Sequence, residues 1–148
     1  MSTPSTTLSP KQLIAAAKAP LMAYSDKNWD AMRASITPDF VYEEVASDLK
    51  VQGVDNVMPV WKGWADAIPD SRATIHDAYV SGNTVVIELT WNGTHNGTLN
   101  LPSGPVAATG KSISIKSCSV FEITGDKASM QRQYFDMATM FRQLGIGG

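Results

Sequence analysis

The sequence is poor in the residues on which metal, disulfide and nucleophilic sites depend. Its 148 residues include one cysteine, Cys118, and two histidines, so an intramolecular disulfide and the usual zinc ligand spacings are excluded. No apolar run approaches the roughly 18 residues that span a bilayer. Glycine-rich phosphate loops and dinucleotide fingerprints are absent as well. We therefore expect no metal, no cofactor and no membrane partner.

The charge balance also excludes classes of partner. Twelve Lys and Arg residues face 14 Asp and Glu residues, a net charge of −2, which gives no basic footprint for nucleic acid. The first nine residues are rich in Ser, Thr and Pro and lack the pattern of a secretory signal, and the single thiol fits a reducing compartment. We expect a cytoplasmic protein with a disordered tail at residues 1–8 and a single domain at residues 9–148.

Hydrophobic periodicity predicts helices first and strands afterwards. Ser9 and Gln12 form a capping-box pattern with Pro10 between them, which predicts a helix start. A second short helix follows Asp26 and is expected to carry Ile36. The remaining prediction is strands at 40–45 and 49–52, a helix at 54–67, strands at 73–80, 84–94, 111–123 and 128–136, and a terminal helix at 137–144, with a loop at 96–110. This order predicts an α+β domain in which three helices pack on a curved, mostly antiparallel sheet around an internal pocket.

Large apolar side chains are predicted to face the interior, where an aromatic and Met-rich surface suits an apolar ligand. Ordinary core packing is the alternative for each of them. The predicted lining consists of Trp29, Tyr42, Met58, Trp61, Trp64, Trp91 and Cys118.

Two residues are candidates for proton chemistry. His95 shares the strand face of Leu89 and Trp91, where an imidazole can polarise a carbonyl or move a proton, or can be a structural core histidine. Asp136 follows Tyr134 at period two at the end of the last strand. A carboxylate beside apolar surface there would have a raised pKa and serve as a general base, or it would cap the terminal helix instead.

The adjacent Glu43 and Glu44 must point to opposite faces of their strand. An inward Glu43 would provide a second acid, and a pair of Glu43 with Lys or Arg is the alternative.

Several segments together resemble SnoaL-like polyketide cyclases, which belong to the nuclear transport factor 2-like group. The resemblance covers nearly the whole chain after the tail. It rests on residues 39–44 (DFVYEE), 52–53 (QG), 64–71 (ending IPDS), 90–97 (TWNGTHNG), 108–111 (ATGK), 134–136 (YFD) and 142–145 (RQLG).

The resemblance implies a cone-shaped fold with a deep pocket, a homodimer and no metal. Members include cyclases that close rings by aldol chemistry with an aspartate base, and related groups include ketosteroid isomerases and limonene-type epoxide hydrolases. Carried over to this chain, the resemblance makes Asp136 the expected base. The helper histidine of the family lies on the preceding strand, where this chain has residues 117–119 (SCS). His95, which comes from a different strand, is therefore our own candidate, together with Tyr134 or Tyr42, for hydrogen-bonding the developing oxyanion.

Three functions remain open on the sequence. The first is a cofactor-independent enzyme that abstracts a proton from a small or medium apolar substrate, or activates water on an epoxide. The second is a module that binds an apolar metabolite without chemistry. The third is a scaffold with a filled core.

Overall fold

The computed structural model describes residues 8–146. The predicted tail at residues 1–8 therefore lies outside the described residues except for Leu8, which packs against the main core. The helices are α1 (Pro10–Ser25), α2 (Trp29–Ala34), α3 (Val54–Ala67) and α4 (Met137–Leu144), and the strands are β1 (Ile36–Glu44), β2 (Leu49–Gln52), β3 (Arg72–Ser81), β4 (Thr84–Thr94), β5 (Leu99–Leu101), β6 (Gly104–Val106), β7 (Ser112–Thr124) and β8 (Lys127–Phe135).

The first helix begins as its sequence predicts. The Ser9 hydroxyl accepts the Gln12 N–H at 3.2 Å, and the Gln12 side-chain oxygen accepts the Ser9 N–H at 2.8 Å. These two bonds satisfy donors that a helix start otherwise leaves free, so the predicted capping box is confirmed. Pro20 does not end the helix, which continues to Ser25 and buries Leu21 beside it.

The second helix is shorter than predicted. It ends at Ala34, and Ile36 is the first residue of β1 rather than part of the helix. Ile36 is almost fully buried in the main core, and its backbone pairs in parallel with Ala128 of β8, a neighbour more than 90 positions away. Local periodicity contains no information about that partner, which explains why the helical assignment of Ile36 was wrong.

The main sheet has six strands in the order β2-β1-β8-β7-β4-β3. Only the β1–β8 pair is parallel, and the other four pairs are antiparallel. Buried residues of α1, α2 and α3 pack against the inner face of this curved sheet to form the larger of two cores. The predicted α+β class is confirmed. None of the described helices has the length and apolarity needed to cross a bilayer.

The segment predicted as a loop at 96–110 contains a small second sheet. Strands β5 and β6 form an antiparallel hairpin, and Leu99 from it is 4% exposed. Leu99 packs with Ile68 and Ile113 in the second core. Pro and Gly within the segment hid this hairpin, because both residues weaken a strand pattern.

A bulge in β8 reverses the inward and outward faces that the sequence predicts. The β7–β8 register shifts between Glu122 and Ile123, and both Ala128 and Gln131 are buried although they are an odd number of positions apart. After the shift, Gln131 and Gln133 face inward while Tyr134 faces solvent at 41% exposure. The predicted inward position of Tyr134 is therefore wrong.

Candidate functional site

A cavity of about 70 Å³ lies between the helices and the inner face of the sheet. Helices α1 and α3 supply Leu21, Tyr24, Trp61 and Trp64 to its wall, and the sheet supplies the facing side. The aromatic residues of the lining are Tyr24, Tyr42, Trp61, Trp64, Trp91 and Phe135. The polar members are Ser71, Gln131 and Gln133. The surface is therefore almost wholly apolar, as in sites for small organic molecules.

A buried carboxylate lies directly behind the aromatic wall. Alternation along β1 turns Tyr42 and Glu44 inward, and Glu44 is 3% exposed. One Glu44 carboxylate oxygen accepts the Tyr42 hydroxyl at 2.7 Å and the Trp64 indole N–H at 3.0 Å. The other accepts the Ser47 hydroxyl at 2.7 Å. These donors offset the cost of removing a carboxylate from water, and all three are neutral.

The hydrogen bonds continue from Glu44 across the sheet. The Gln133 amide donates to the Tyr42 oxygen at 2.9 Å, and the Trp91 indole N–H donates to the Gln133 carbonyl oxygen at 2.8 Å. Trp64, Tyr42, Gln133 and Trp91 all line the cavity, while Glu44 lies one hydrogen bond behind it. The wall thus contains a continuous path of hydrogen bonds that begins and ends in the cavity.

Both phenols of the cavity wall are held in the protonated form. Burial away from water, followed by the neighbouring Glu44 charge, raises the pKa of Tyr42 well above its ordinary value. Burial raises the pKa of Tyr24 to about 12, although its hydrogen bond with Ser71, at 2.6 Å between oxygens, acts in the opposite direction. At neutral pH each phenol is therefore a hydrogen-bond donor, and neither is present as a free phenolate.

Asp136 is at the start of α4 and does not line the cavity. Its carboxylate accepts the Ala138 N–H at 3.0 Å and the Thr139 hydroxyl at 2.9 Å. The Thr139 hydrogen bond, assisted by backbone N–H groups, lowers the pKa of Asp136. The predicted desolvated carboxylate with a raised pKa is therefore wrong, and the alternative, a helix cap, is confirmed.

His95 is completely buried, as its strand face predicts, but it follows the last residue of β4 and does not line the cavity. Its Nδ1 accepts the Thr109 N–H at 3.2 Å. Its Nε2 has no hydrogen-bond partner within the described residues. The structure thus brings neither His95 nor Asp136 to the cavity.

The predicted aromatic lining is placed correctly in part. Tyr42, Trp61, Trp64 and Trp91 line the cavity, and their contact with a substrate stays a prediction. The other three predicted residues lie in three different places outside the lining. Trp29 packs edge-on against Tyr24 outside the lining, Met58 is buried in the main core, and Cys118 lies on the outward face of β7 opposite Glu88.

Glu44, which lies behind the wall, and the polar wall residues Ser71, Gln131 and Gln133 were not among the site residues selected from the sequence. The adjacent pair Glu43–Glu44 indicated that one carboxylate faces inward, but the sequence did not show which of the two it is. Glu43 faces outward and pairs with Arg132 at 3.3 Å, so the inward Glu43 is wrong and its pairing with a basic residue is confirmed. Gln133 was hidden by the β8 bulge. Across residues 8–146, no three His, Cys, Asp or Glu side chains converge as metal ligands would.

The chain and its fold correspond to those of a known family. The model of the SnoaL-like polyketide cyclase family matches residues 15–144, so the chain belongs to this family, as the sequence motifs predicted. No curated protein matches the chain.

Solved structures share the fold over almost the whole chain. A protein from Jannaschia sp. CCS1, assigned as a SnoaL-like polyketide cyclase, has a TM-score of 0.81 and 16% identity over 95% of this chain and 98% of its own. IdmH from Streptomyces antibioticus, assigned as a polyketide cyclase, has a TM-score of 0.77 and 20% identity over 91% and 99%. A protein with a ketosteroid isomerase-like fold from Catenulispora acidiphila, in complex with trimethylamine, has a TM-score of 0.75 and 18% identity over 95% of this chain and 96% of its own. Similarity at these identities establishes the fold and leaves the chemistry to the site.

Proposed function

We propose that the protein is a cofactor-independent enzyme of the cyclase or isomerase type, which moves a proton on a small organic substrate held in the aromatic cavity. The observation that carries this proposal is the buried Glu44 carboxylate, which accepts the Tyr42 hydroxyl in the cavity wall at 2.7 Å. Proton abstraction beside a carbonyl needs a positioned base and a site that excludes water. The Glu44–Tyr42 pair and the apolar lining supply these two elements.

The proton transfer we propose passes through Tyr42. A substrate C–H proton moves to the Tyr42 oxygen while the Tyr42 proton moves to Glu44, which leaves a neutral carboxyl group and a substrate enolate. Because the pKa of Tyr42 is raised well above its ordinary value, a free phenolate is costly and the two transfers must be concerted. The Gln131 and Gln133 amides each donate one N–H within the wall, which leaves a second N–H for the substrate oxygen.

Membership of the SnoaL-like family supports chemistry of this kind, and the Catenulispora relative with trimethylamine supports a small organic occupant. The base in this proposal is Glu44. The earlier candidates Asp136 and His95 do not line the cavity, and Tyr134 faces solvent.

Binding without chemistry is the second candidate. It is favoured by one observation: both oxygens of Glu44 are already occupied by neutral donors. Three of its roughly four acceptor positions are used and Glu44 does not line the cavity, so as a base it must act through Tyr42 or not at all. The predicted homodimer and cytoplasmic location stay predictions, and light scattering of the purified chain tests the first.

The experiment that tests the proposal measures deuterium exchange at the acidic carbon of 2-tetralone in heavy water by NMR. The wild-type chain is expected to accelerate exchange, and Glu44→Gln is expected to abolish the acceleration while the affinity for 2-tetralone stays within a few fold. Glu43→Gln is the matched control, since it removes one carboxylate from the adjacent, outward-facing position. Asp136→Asn is expected to retain exchange.

Two outcomes contradict the proposal. Binding of 2-tetralone with no exchange in the wild type favours a module without chemistry. Exchange that survives in Glu44→Gln but is lost in Asp136→Asn returns the role of base to Asp136.

A further inference from the structure

We propose that the natural occupant of the cavity carries a compact positive charge, as in an organic ammonium or iminium group. This inference rests on the proposed function only in requiring that the cavity takes a ligand. It names the chemical class of that ligand, and its argument comes from the charge and the ring geometry of the wall.

The charge of Glu44 has no counterpart in its surroundings. Glu44 is the only Asp, Glu, Lys or Arg residue among the buried ones in the described part of the chain, and the buried His95 does not line the cavity. The three salt bridges between described residues involve other acids, and the donors to Glu44 are a phenol, an indole and an alcohol. Neutral donors stabilise a buried carboxylate less than a cation does, so a cation in the adjacent cavity gains free energy from it.

Aromatic rings stand nearly perpendicular to one another around the cavity. Tyr42 and Trp61 have centroids 5.7 Å apart and an interplanar angle of 75°. The Trp64–Phe135 angle is 84° at 6.2 Å, and the Tyr24–Trp91 angle is 82° at 5.3 Å. Because the two rings of each pair are nearly perpendicular, their faces point in different directions, and a compact cation held among them can contact the electron-rich face of a ring.

The chain already uses one of these rings for the same purpose. The Lys27 ammonium lies 4.6 Å from the centroid of Tyr24 and bonds the backbone oxygen of Ser71. A ligand cation is repelled by Lys27 and attracted by Glu44, which favours the part of the wall where Tyr42 and Trp64 adjoin Glu44. An anionic ligand at that end would face the carboxylate, and a neutral one would leave its charge uncompensated.

A positive charge on the substrate also suits the proposed proton transfer. A proton lost from the carbon beside an iminium leaves a neutral enamine, and the proton neutralises Glu44. The positive charge of the substrate and the negative charge of Glu44 are therefore neutralised in the same step, whereas a neutral ketone would be converted into a buried enolate.

The test compares choline with 3,3-dimethylbutan-1-ol, in which carbon replaces the quaternary nitrogen and the shape is retained. Isothermal titration of the full chain is expected to show choline binding at least about tenfold more tightly, the contribution of a desolvated cation–π site. In Glu44→Gln the preference is expected to fall several-fold while the affinity for the neutral alcohol is kept. Glu43→Gln changes the net charge by the same amount away from the cavity and is expected to keep the full preference.

Other outcomes overturn the inference in distinguishable ways. Equal or tighter binding of the neutral alcohol shows that the cavity does not select for positive charge. A preference for choline that is unchanged in Glu44→Gln shows that Glu44 does not contribute to it, provided that the melting temperature of the variant shows a folded chain. Binding of 2-tetralone with no detectable choline binding also overturns it and leaves the proposed function standing. If none of the three molecules binds, both proposals fail together.

Discussion

The hydroxyl of Tyr42 lies 2.7 Å from a carboxylate oxygen of Glu44, two residues further along β1, and the same hydroxyl accepts the Gln133 amide from β8. Tyr42→Phe leaves both partners buried and short of one bond. We expect a loss of about 1–3 kcal/mol in the free energy of unfolding, measured by urea denaturation. Tyr79→Phe is the matched control, because Tyr79 also donates to a glutamate, Glu88, but on the exposed face. It is expected to change stability too little to measure, and equal losses in the two variants would contradict the importance of the buried bonds.

Close backbone packing at Gly97 gives a second prediction. A Cβ at this position would collide with the carbonyl oxygen of Asp66, where the Gly97 N–H bonds Ala67. We expect Gly97→Ala to destabilise the protein by about 1–3 kcal/mol, because backbone cannot move aside as a flexible side chain can. Gly63→Ala meets nothing within 4 Å inside α3 and is expected to stabilise by about 0.5–1 kcal/mol. Thermal unfolding of both variants measures the two changes in stability. If Gly97→Ala is as stable as the wild type, the backbone around Asp66 moves to accommodate the Cβ.

The cap at Asp136 predicts a pH dependence of stability. Its pKa is lowered in the folded chain, so the unfolded chain binds more protons in the acid range. The stabilisation is present above the ordinary aspartate pKa of about 3.9 and is lost as the pH falls through the lower folded pKa. We expect Asp136→Ala to have a lower melting temperature than the wild type at pH 7, with the difference closing toward pH 2. A difference that stays constant with pH would exclude a charged cap.

The raised pKa of Tyr24 predicts how the free energy of unfolding changes at alkaline pH. The pKa of Tyr24 is raised to about 12, so the unfolded chain loses this proton first. The contribution is complete below the ordinary tyrosine pKa of about 10 and disappears as the pH rises to about 12. As the pH rises from about 10 to about 12, we expect the free energy of unfolding, measured by urea titration, to fall less in Tyr24→Phe than in the wild type. Tyr134→Phe, on the solvent face, is the control that should follow the wild-type curve.

The extent to which the sequence predicted the fold depended on how local the controlling interactions are. The α1 start at Ser9 and the bounds of α3 were predicted correctly, because caps and periodicity act within a few residues. Ile36 was assigned to a helix because its pairing partner Ala128 is distant in sequence. The hairpin at Leu99 was missed because its stability comes from Ile68 and Ile113, which are not in the segment.

The site followed the same rule. Trp61 and Trp64 were selected because α3 has a clear apolar stripe, and both line the cavity. Gln133 could not be selected because one bulged residue in β8 exchanges the two faces of the strand. The two positions available for Asp136, base or cap, were both visible in the sequence, and only the contacts of its oxygens with Ala138 and Thr139 decide between them.

The parallel pairing of β1 with β8 has a consequence for the order in which the protein assembles. On the ribosome, β1 emerges long before its partner β8, and until then only the short β2 can pair with it. The strand that completes the Glu44–Tyr42–Gln133 wall is the last of the eight to be synthesised. Pairing across such a separation makes folding slow and leaves β1 as an open edge during translation. The nascent chain is therefore most exposed to aggregation and to chaperones while its cavity is still half-built.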